Sequence, residues 1–421
     1  MATSDNPSNL QAFEWELETD SDAGFNANTA ISATARLPLI TPIDWTSLTQ
    51  EKVPTNHVAQ YRGEGFPHAN GLKRGRPVID FWMTGHGSTT NVDTSLTNTE
   101  TLLGTLLGNA ATAGDAATTL TGGTVTVPTT TASGTFSAGG MTRLGALGDG
   151  DGEGQFYAIS THSALNLTLL NDMAGAPANG AVMYAPTLIY PHSAPTSTRI
   201  RGVRGRGISS NLAYTMYGIH AESITLTGFN TGQHLQASVQ LDTGNWDSVG
   251  SVTFPSTATG DTVNPEPNCG GSFHIQDVGT TTRNTLPVVD LSITINLNHR
   301  ARTGYGSAWQ YNDKIGAYRA HDPAAPPAII EFAIAATDQT ATPDFDAAWL
   351  ANSTRKIIVI TLNTADGSAL GLLFRSCCWY GPRPTQSDLE GRNVRRYRLA
   401  AHTGATLTND LTRAPWVIAR G

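Results

Sequence analysis

Several stretches of the chain alternate apolar and polar residues at period two, the spacing that puts one set of side chains on each face of a β-strand. In "FEWELE" Phe13, Trp15 and Leu17 share one face, and Glu14, Glu16 and Glu18 share the other. A terminal strand of this kind suits addition to a sheet edge, either its own or a neighbour's. "QHLQASVQLDTG" alternates Leu235, Ala237, Val239 and Leu241 with polar residues. With Ile224 and Leu226 ahead of it, this predicts a hairpin with one buried face. "PVVDLSITINLNH" alternates as cleanly, with Val289, Leu291, Ile293, Ile295 and Leu297 together. Two short stretches are helical instead. "TNTETLLGTLLGN" offers Thr97 or Asn98 as its cap, Glu100 in its first turn, and Leu102, Leu103, Leu106 and Leu107 at helical spacing. "TPDFDAAWLAN" supplies the second, with Asp344 near its start.

The order of these elements recurs along the chain. "PVIDFWMTG" starts at Pro77 and "PVVDLSITI" at Pro287, 210 positions on (287 − 77). Each half has a long connection carrying Gly, Arg and aromatics, "YRGEGFPHANGLKRGRP" and "RARTGYGSAWQYNDKIGAYRAHDP", as well as a short helix and paired strands. "LDTG" at Leu241 and "AHTG" at Ala401 close the two copies, 160 apart (401 − 241). The difference of 50 (210 − 160) calls for extra material in the first half. The Thr- and Gly-rich stretch from about Ala110 to Ile189 supplies it. The predicted fold is therefore mainly β: a duplicated β-sandwich, each copy with a short helix and a long loop, plus a small inserted β module. Residues 1–30 read as an N-terminal arm, 31–109 with 193–262 as the first sandwich, 110–192 as the inserted module and 263–421 as the second sandwich.

Composition sharpens this picture. At 421 residues the chain exceeds the size of a single growing core, and 43 Gly, 22 Pro and only 14% charged residues fit a turn-rich β protein. The net charge of −8 argues against a nucleic-acid binder with a broad basic surface, while leaving room for a protein past which DNA slides. Cys269, Cys377 and Cys378 make no disulfide framework and no C-x-x-C, so they read as small apolar residues in a reducing compartment. "MATSDNPSNL" has no signal-peptide pattern, and the apolar run "AIIEFAIAA" is interrupted by Glu331, so no membrane span is expected.

Candidate chemistry is sparse. The closest histidines, His57 and His68, are eleven apart, which excludes short His–His metal spacing. "GDGDGEGQFYAIS" places Asp149, Asp151, Glu153 and Gly154 as a calcium loop would, but Ser160 stands where the bidentate Glu belongs. "STRIRGVRGRGISS" carries Arg199, Arg201, Arg204 and Arg206. It could grip phosphate, make salt bridges between subunits, or form a solvated turn. No carboxylate pair is placed for acid–base work. No catalytic residue, metal or cofactor is expected.

From Leu286 to Trp416 the succession "IIEFAIAATD", "TPDFDAAWLAN", "RKIIVITLN" and "WYGPRPTQSDLEGRNVRRYRLAA", with its Pro382-Arg383-Pro384 turn, resembles the tail tube proteins of long-tailed phages. "YRGEGFPHANGLKRGRPVIDFWMTG" is similar to that family's Gly- and Arg-bearing loop running into a long strand. The resemblance is one of pattern and element order. It implies six-fold rings, stacked into a virion tail tube assembled in the host cytoplasm, whose inner sheets join around a channel. A fused pair of units would need three chains per ring. It further implies ring-stacking contacts at Tyr61, Arg62, Phe66, Arg74, Arg76, Tyr305, Trp309, Tyr311 and Tyr318, an inter-subunit arm at Phe13, Trp15 and Leu17, and an inserted module outside the tube. The implied partners are further copies of the chain, tape-measure, tail-tip and tail-terminator proteins, and DNA passing without specific binding through a polar, acidic lumen. A baseplate or tail-tip ring protein of the same fold, or a β-rich carbohydrate-binding or carbohydrate-acting protein, are the alternatives.

Overall fold

A computed structural model describes residues 11–17, 35–54, 68–85, 96–107, 117–133, 136–145, 154–191, 203–209, 212–243, 245–249, 268, 271–297, 300–302, 310–313, 326–335, 345–351, 354–363, 368–403 and 410–421. The first half contains β1 (Gln11–Leu17), β2 (Ala35–Pro38), β3 (Thr49–Pro54), β4 (His68–Arg74), β5 (Val78–Trp82) and helix α1 (Asn98–Leu106). Then come β6 (Ala117–Gly123), β7 (Pro128–Thr130), β8 (Met141–Leu144), β9 (Phe156–Ser163), β10 (Asn166–Leu169), β11 (Val182–Tyr184) and β12 (Thr187–Ile189). The half ends with β13 (Val203–Ser209), β14 (Leu212–Thr227), β15 (Gln236–Asp242) and β16 (Asn245–Val249). The second half has β17 (Gly271–Asp277), β18 (Asn284–Thr285), β19 (Val288–Asn296), β20 (Arg300–Arg302), β21 (Gln310–Asp313), β22 (Ala328–Ala335) and α2 (Phe345–Ala351). It closes with β23 (Lys356–Leu362), β24 (Leu370–Trp379), β25 (Thr385–Leu389), β26 (Arg392–Ala401), α3 (Asp410–Arg413) and β27 (Trp416–Arg420).

The architecture is a pair of β-sandwiches sharing one sheet. The shared sheet runs β5-β15-β14-β19-β22-β26-β25, all antiparallel. Over its first half lies the sheet β2-β1-β13-β14-β16, and over its second half β18-β17-β23-β24-β27-β12. The long strands β14 and β24 take part in both layers, so each sandwich is closed by a strand that turns from one sheet into the other. Between the layers Phe13, Met216 and Ile219 meet Ile79, Phe81 and Leu226, and Phe273, Ile358 and Phe374 meet Ile293, Phe332 and Leu399. Alternation along β15, β19 and β22 assigns these residues to the core, and α1 adds Leu102, Leu103 and Leu106.

The two halves carry the same pairing scheme. Phe13 stands opposite Gly207 and Leu37, while Phe273 stands opposite Ile360 and accepts the N–H of Leu286 at 2.9 Å. Register shifts fall between Val203 and Gly205 in one half and between Lys356 and Ile358 in the other. Met216 pairs with Trp246, as Phe374 does with Trp416. Ile79 pairs with Val239, as Ile330 does with Leu399.

This scheme keeps the closing match and corrects the opening one. Val239 and Leu399 differ by 160 (399 − 239), the spacing of "LDTG" and "AHTG". The strand of Pro77, however, corresponds to β22 rather than to β19: Val78-Ile79-Asp80-Phe81 answers to Ile329-Ile330-Glu331-Phe332, offset 251 (330 − 79). The excess in the first half is thus 91 (251 − 160), not 50. It lies in one place, since α1 and β13 are separated by 96 residues (203 − 106 − 1), against four (356 − 351 − 1) between α2 and β23.

Within that excess, β6 to β11 form a closed barrel, β10-β7-β6-β11-β8-β9. Leu120, Tyr157, Ile159, Leu167, Leu169 and Met183 fill it. The barrel is docked on the second half. Met141, Phe156 and Ala158 pack on Ile357, Val359, Leu373, Val417 and Ala419. Phe156 N–H donates to Thr361 Oγ1 at 3.1 Å, Gln276 Nε2 donates to the Leu170 carbonyl at 2.6 Å, and Arg375 donates to the Gly139 carbonyl. Gly371 admits the Phe156 ring, which a Cβ at that position would meet at 2.5 Å. Strand β12, although inside the 110–192 stretch, pairs with β27 and so belongs to the second-half sheet.

Candidate functional site

The shared sheet has one face in the core and one polar face, and the polar face is the candidate site. Alternation places Asp80, Gln236, Ser238 and Gln240 on it from the first half, and Asp290, Ser292, Thr294, Asn296 and Glu331 from the second. The seam between halves is uncharged along its ladder: Ser223, Ile224, Thr225 and Leu226 stand opposite Asn296, Ile295, Thr294 and Ile293, and Thr225 and Thr294 hydroxyls lie 3.5 Å apart. Carboxylates toward the second half are matched by arginines on β26. Arg396 Nη1 lies 2.7 Å from Asp290 Oδ2, and Arg398 Nε lies 2.7 Å from Glu331 Oε1. In the first half Gln236 and Ser238 occupy the places of Arg396 and Arg398, and Asp80 accepts only the Thr41 hydroxyl, at 2.6 Å, among the bonds of described residues. The face is therefore mixed: Val78 and Trp82 flank Asp80 on β5 and Ile329 and Ala333 flank Glu331 on β22, while β15 and β19 present mainly polar side chains. The arginines come from β26, whose pairing with β22 is invisible to local spacing.

At one end of the sheet stand two hairpins, β3–β4 and β20–β21, one in each long connection. Arg74 is on β4 and Tyr311 on β21, while Arg76 follows β4 and lies 3.3 Å from Glu222 of its own chain. Tyr61, Arg62, Phe66, Tyr305, Trp309 and Tyr318 lie outside the described residues. At the opposite end a cavity of about 290 Å³ opens between the two layers of the second sandwich, lined by Phe229, Asn230, Thr231, Phe273, Leu286, Val288, Leu291 and Ile360. Asn268 fixes its rim, donating from Nδ2 to the Gly228 carbonyl at 2.6 Å and accepting the Gly232 N–H at 2.8 Å.

Strand β1 takes the intrachain alternative. It pairs with β13 on one side and β2 on the other; Phe13 and Trp15 are buried in the chain's own core, and Leu17 packs against it. These side chains are not a free arm for a neighbouring subunit, and residues 11–17 belong to the first sandwich. Of the arginine run, Arg204 and Arg206 lie on β13, in backbone register with Glu16 and Glu14, rather than in a loop or turn. Arg199 and Arg201 lie outside the described residues, as do Asp149, Asp151 and Glu153, while Ser160 is part of β9.

Among the described residues no group of three or more His, Cys, Asp or Glu could hold a metal ion, and no helix is long and apolar enough to cross a membrane. Cys377 is buried in the core, which pushes its thiol up, and Cys378 is partly buried. No protein-family model matches the chain, and no curated protein matches it either.

Proposed function

We propose that the chain is a ring-forming structural protein, a tail tube protein of a long-tailed phage built from two fused tube-type units. The observation that carries this reading is the seam between β14 and β19, where two sandwiches of equal pairing scheme continue one sheet across a polar face. The sheet ends are complementary in the same sense. Strand β25 pairs only with β26 among described residues, and Thr385 occupies there the place that Thr227 has on β14. At the other end Ile40 donates its N–H to the Asp80 carbonyl at 2.8 Å, placing the segment after β2 beside β5 as β19 lies beside β22. Pairing β25 of one copy with that segment of the next repeats the internal seam, and a head-to-tail contact of constant rotation closes into a ring. Three chains then supply six units, and both edges of the shared sheet are paired. The polar face becomes the channel wall, its acidic and charge-paired surface offering DNA phosphates few cations to release counterions against.

Electron microscopy of the purified protein, with mass by light scattering, tests this directly. Hollow stacked rings with three chains per layer are expected. Closed oligomers that never stack would instead favour a tail-tip ring protein, and a protein that stays monomeric at every concentration would count against ring assembly.

A further inference from the structure

We infer that the docked barrel is held by a pH-sensitive latch: proton uptake by His274 shifts the barrel from docked toward released, while its own core and both sandwiches stay formed. His274 lies on β17 between Phe273 and Ile275, which belong to the core between the layers. Alternation therefore turns His274 outward, with Gln276, onto the face that carries the barrel. Its neighbours there cross to the barrel. Gln276 reaches the Leu170 carbonyl, and Val359, opposite His274 on β23, packs with Met141 and Phe156. His274 itself is only 3% exposed. The barrel is also built to move as a unit. Its six strands close on one another, and its filling is a cluster separate from both the sandwich core and the docking contact. Among the described residues no barrel strand pairs with a sandwich strand, so docking rests on side-chain packing and a few hydrogen bonds.

The site accepts one protonation state of the ring. Nδ1 lies 3.0 Å from Thr285 Oγ1, and Nε2 has no hydrogen-bond partner among the described residues. With the proton on Nδ1, the neutral ring leaves Nε2 a bare acceptor. A second proton would place a charged donor in the contact with nothing to receive it. The charged and titratable groups nearby do not relieve this. Arg283, from the connection between β17 and β18, donates to Gln155 Oε1 of the barrel at 3.0 Å and stands 5.7 Å over the Tyr157 ring. A cation thus already spans the contact, and burial raises the Tyr157 pKa, so its phenol stays neutral. Asp172 of the barrel accepts the Thr126 hydroxyl at 2.6 Å, and Asp277 on β17 is paired with Lys356 of β23. Burial, and then Arg283, hold the docked imidazole at a pKa of about 4, whereas a released, hydrated ring returns to the ordinary 6.5. The released state therefore takes up the proton first as pH falls, and acid favours release.

Amide hydrogen exchange in the full chain tests the latch. The Phe156 N–H is donated to Thr361 Oγ1 across the contact, so its exchange reports release. The Leu120 N–H, bonded to the Ala181 carbonyl inside the barrel, and the amides of β15 in the shared sheet report opening of the units themselves. Rates are divided by the intrinsic chemical exchange rate at each pH. Opening at Phe156 should then rise about 20-fold from pH 7 to 5, the change that pKa values of 6.5 and about 4 produce. At pH 5 it should also exceed opening at Leu120 and in β15. In His274→Gln the rise should shrink to about threefold or less. A rise of wild-type size in folded H274Q would overturn the inference. Two wild-type results, which need no variant to fold, would overturn it as well. One is Phe156 opening that does not change between pH 7 and 5. The other is equal opening at Phe156, Leu120 and β15, which would mean unfolding as a whole rather than release.

Discussion

Glu100 and Arg420 form an ion pair with Oε1 and Nη1 3.4 Å apart, both side chains fully buried. Arg420 also donates to the carbonyls of Thr84 and Gly85, at 2.8 and 2.7 Å, and to the Thr97 hydroxyl at 3.1 Å. Thr97 and Glu100 are at the same time the two members of the capping box of α1. The last strand of the second half is thus bolted to the helix of the first. Removing one partner of such a pair strands a charge in the interior. Arg420→Met or Glu100→Gln should each cost about 3–5 kcal/mol in denaturant unfolding. The double variant should recover part of that loss, and additive single losses would refute the coupling.

His274 gives a pH dependence. Burial, and then the nearby Arg283 charge, lower its pKa from 6.5 to about 4, so the folded protein holds a neutral imidazole that the unfolded chain protonates more readily. A depressed histidine contributes stability that is present above pH 6.5 and lost as pH falls toward 4. Unfolding free energy should drop by roughly 2–3 kcal/mol between pH 7 and 4.5 from this group. His274→Gln should flatten that part of the profile; an unchanged slope would remove His274 from the account.

The docked barrel depends on a missing Cβ. Gly371→Ala drives a methyl group against the Phe156 ring, so destabilisation of about 1–3 kcal/mol is expected, together with faster proteolysis between the barrel and β13. Phe156→Ala alone leaves a void and should cost about 3–5 kcal/mol. Combined, the two should be less than additive, because the clash disappears with the ring.

Charge on the polar face can be reversed without touching the core. Arg396 and Arg398 are 47% and 40% exposed, so replacing either by Ala should change stability by less than about 1 kcal/mol. Replacing Asp80, Asp290 and Glu331 by Lys should convert assembled protein from one that ignores duplex DNA into one that retains it. The affinity of that variant should fall steeply with salt. Equal DNA retention by wild type and variant would show that this face does not meet DNA.

How far the sequence foretold the fold follows from what kind of contact decides each element. The helix at Thr97 and the hairpin into Leu241 rest on spacing within a few residues, and they are legible. The match of "PVID" with "PVVD" misled, because an identical local pattern occurs on strands that hold different places in the two sandwiches. Only the partners, Val239 and Leu399, show which strands correspond. Whether β1 serves its own sheet or a neighbour's is likewise decided by Gly205, where a Cβ would meet the Phe13 ring at 2.3 Å. The arginines facing Asp290 and Glu331 come from a strand more than sixty residues away, beyond any local pattern.

The barrel enters and leaves the fold at a single joint, between α1 and β13, where the second half spends four residues. Among the described residues, strands β13 and β23 hold the same registers with and without 96 residues ahead of them. The short joint between α2 and β23 is the counterpart of the position that carries the barrel. A foreign domain grafted there would be carried in as many copies as the barrel, at a point where no ladder is cut.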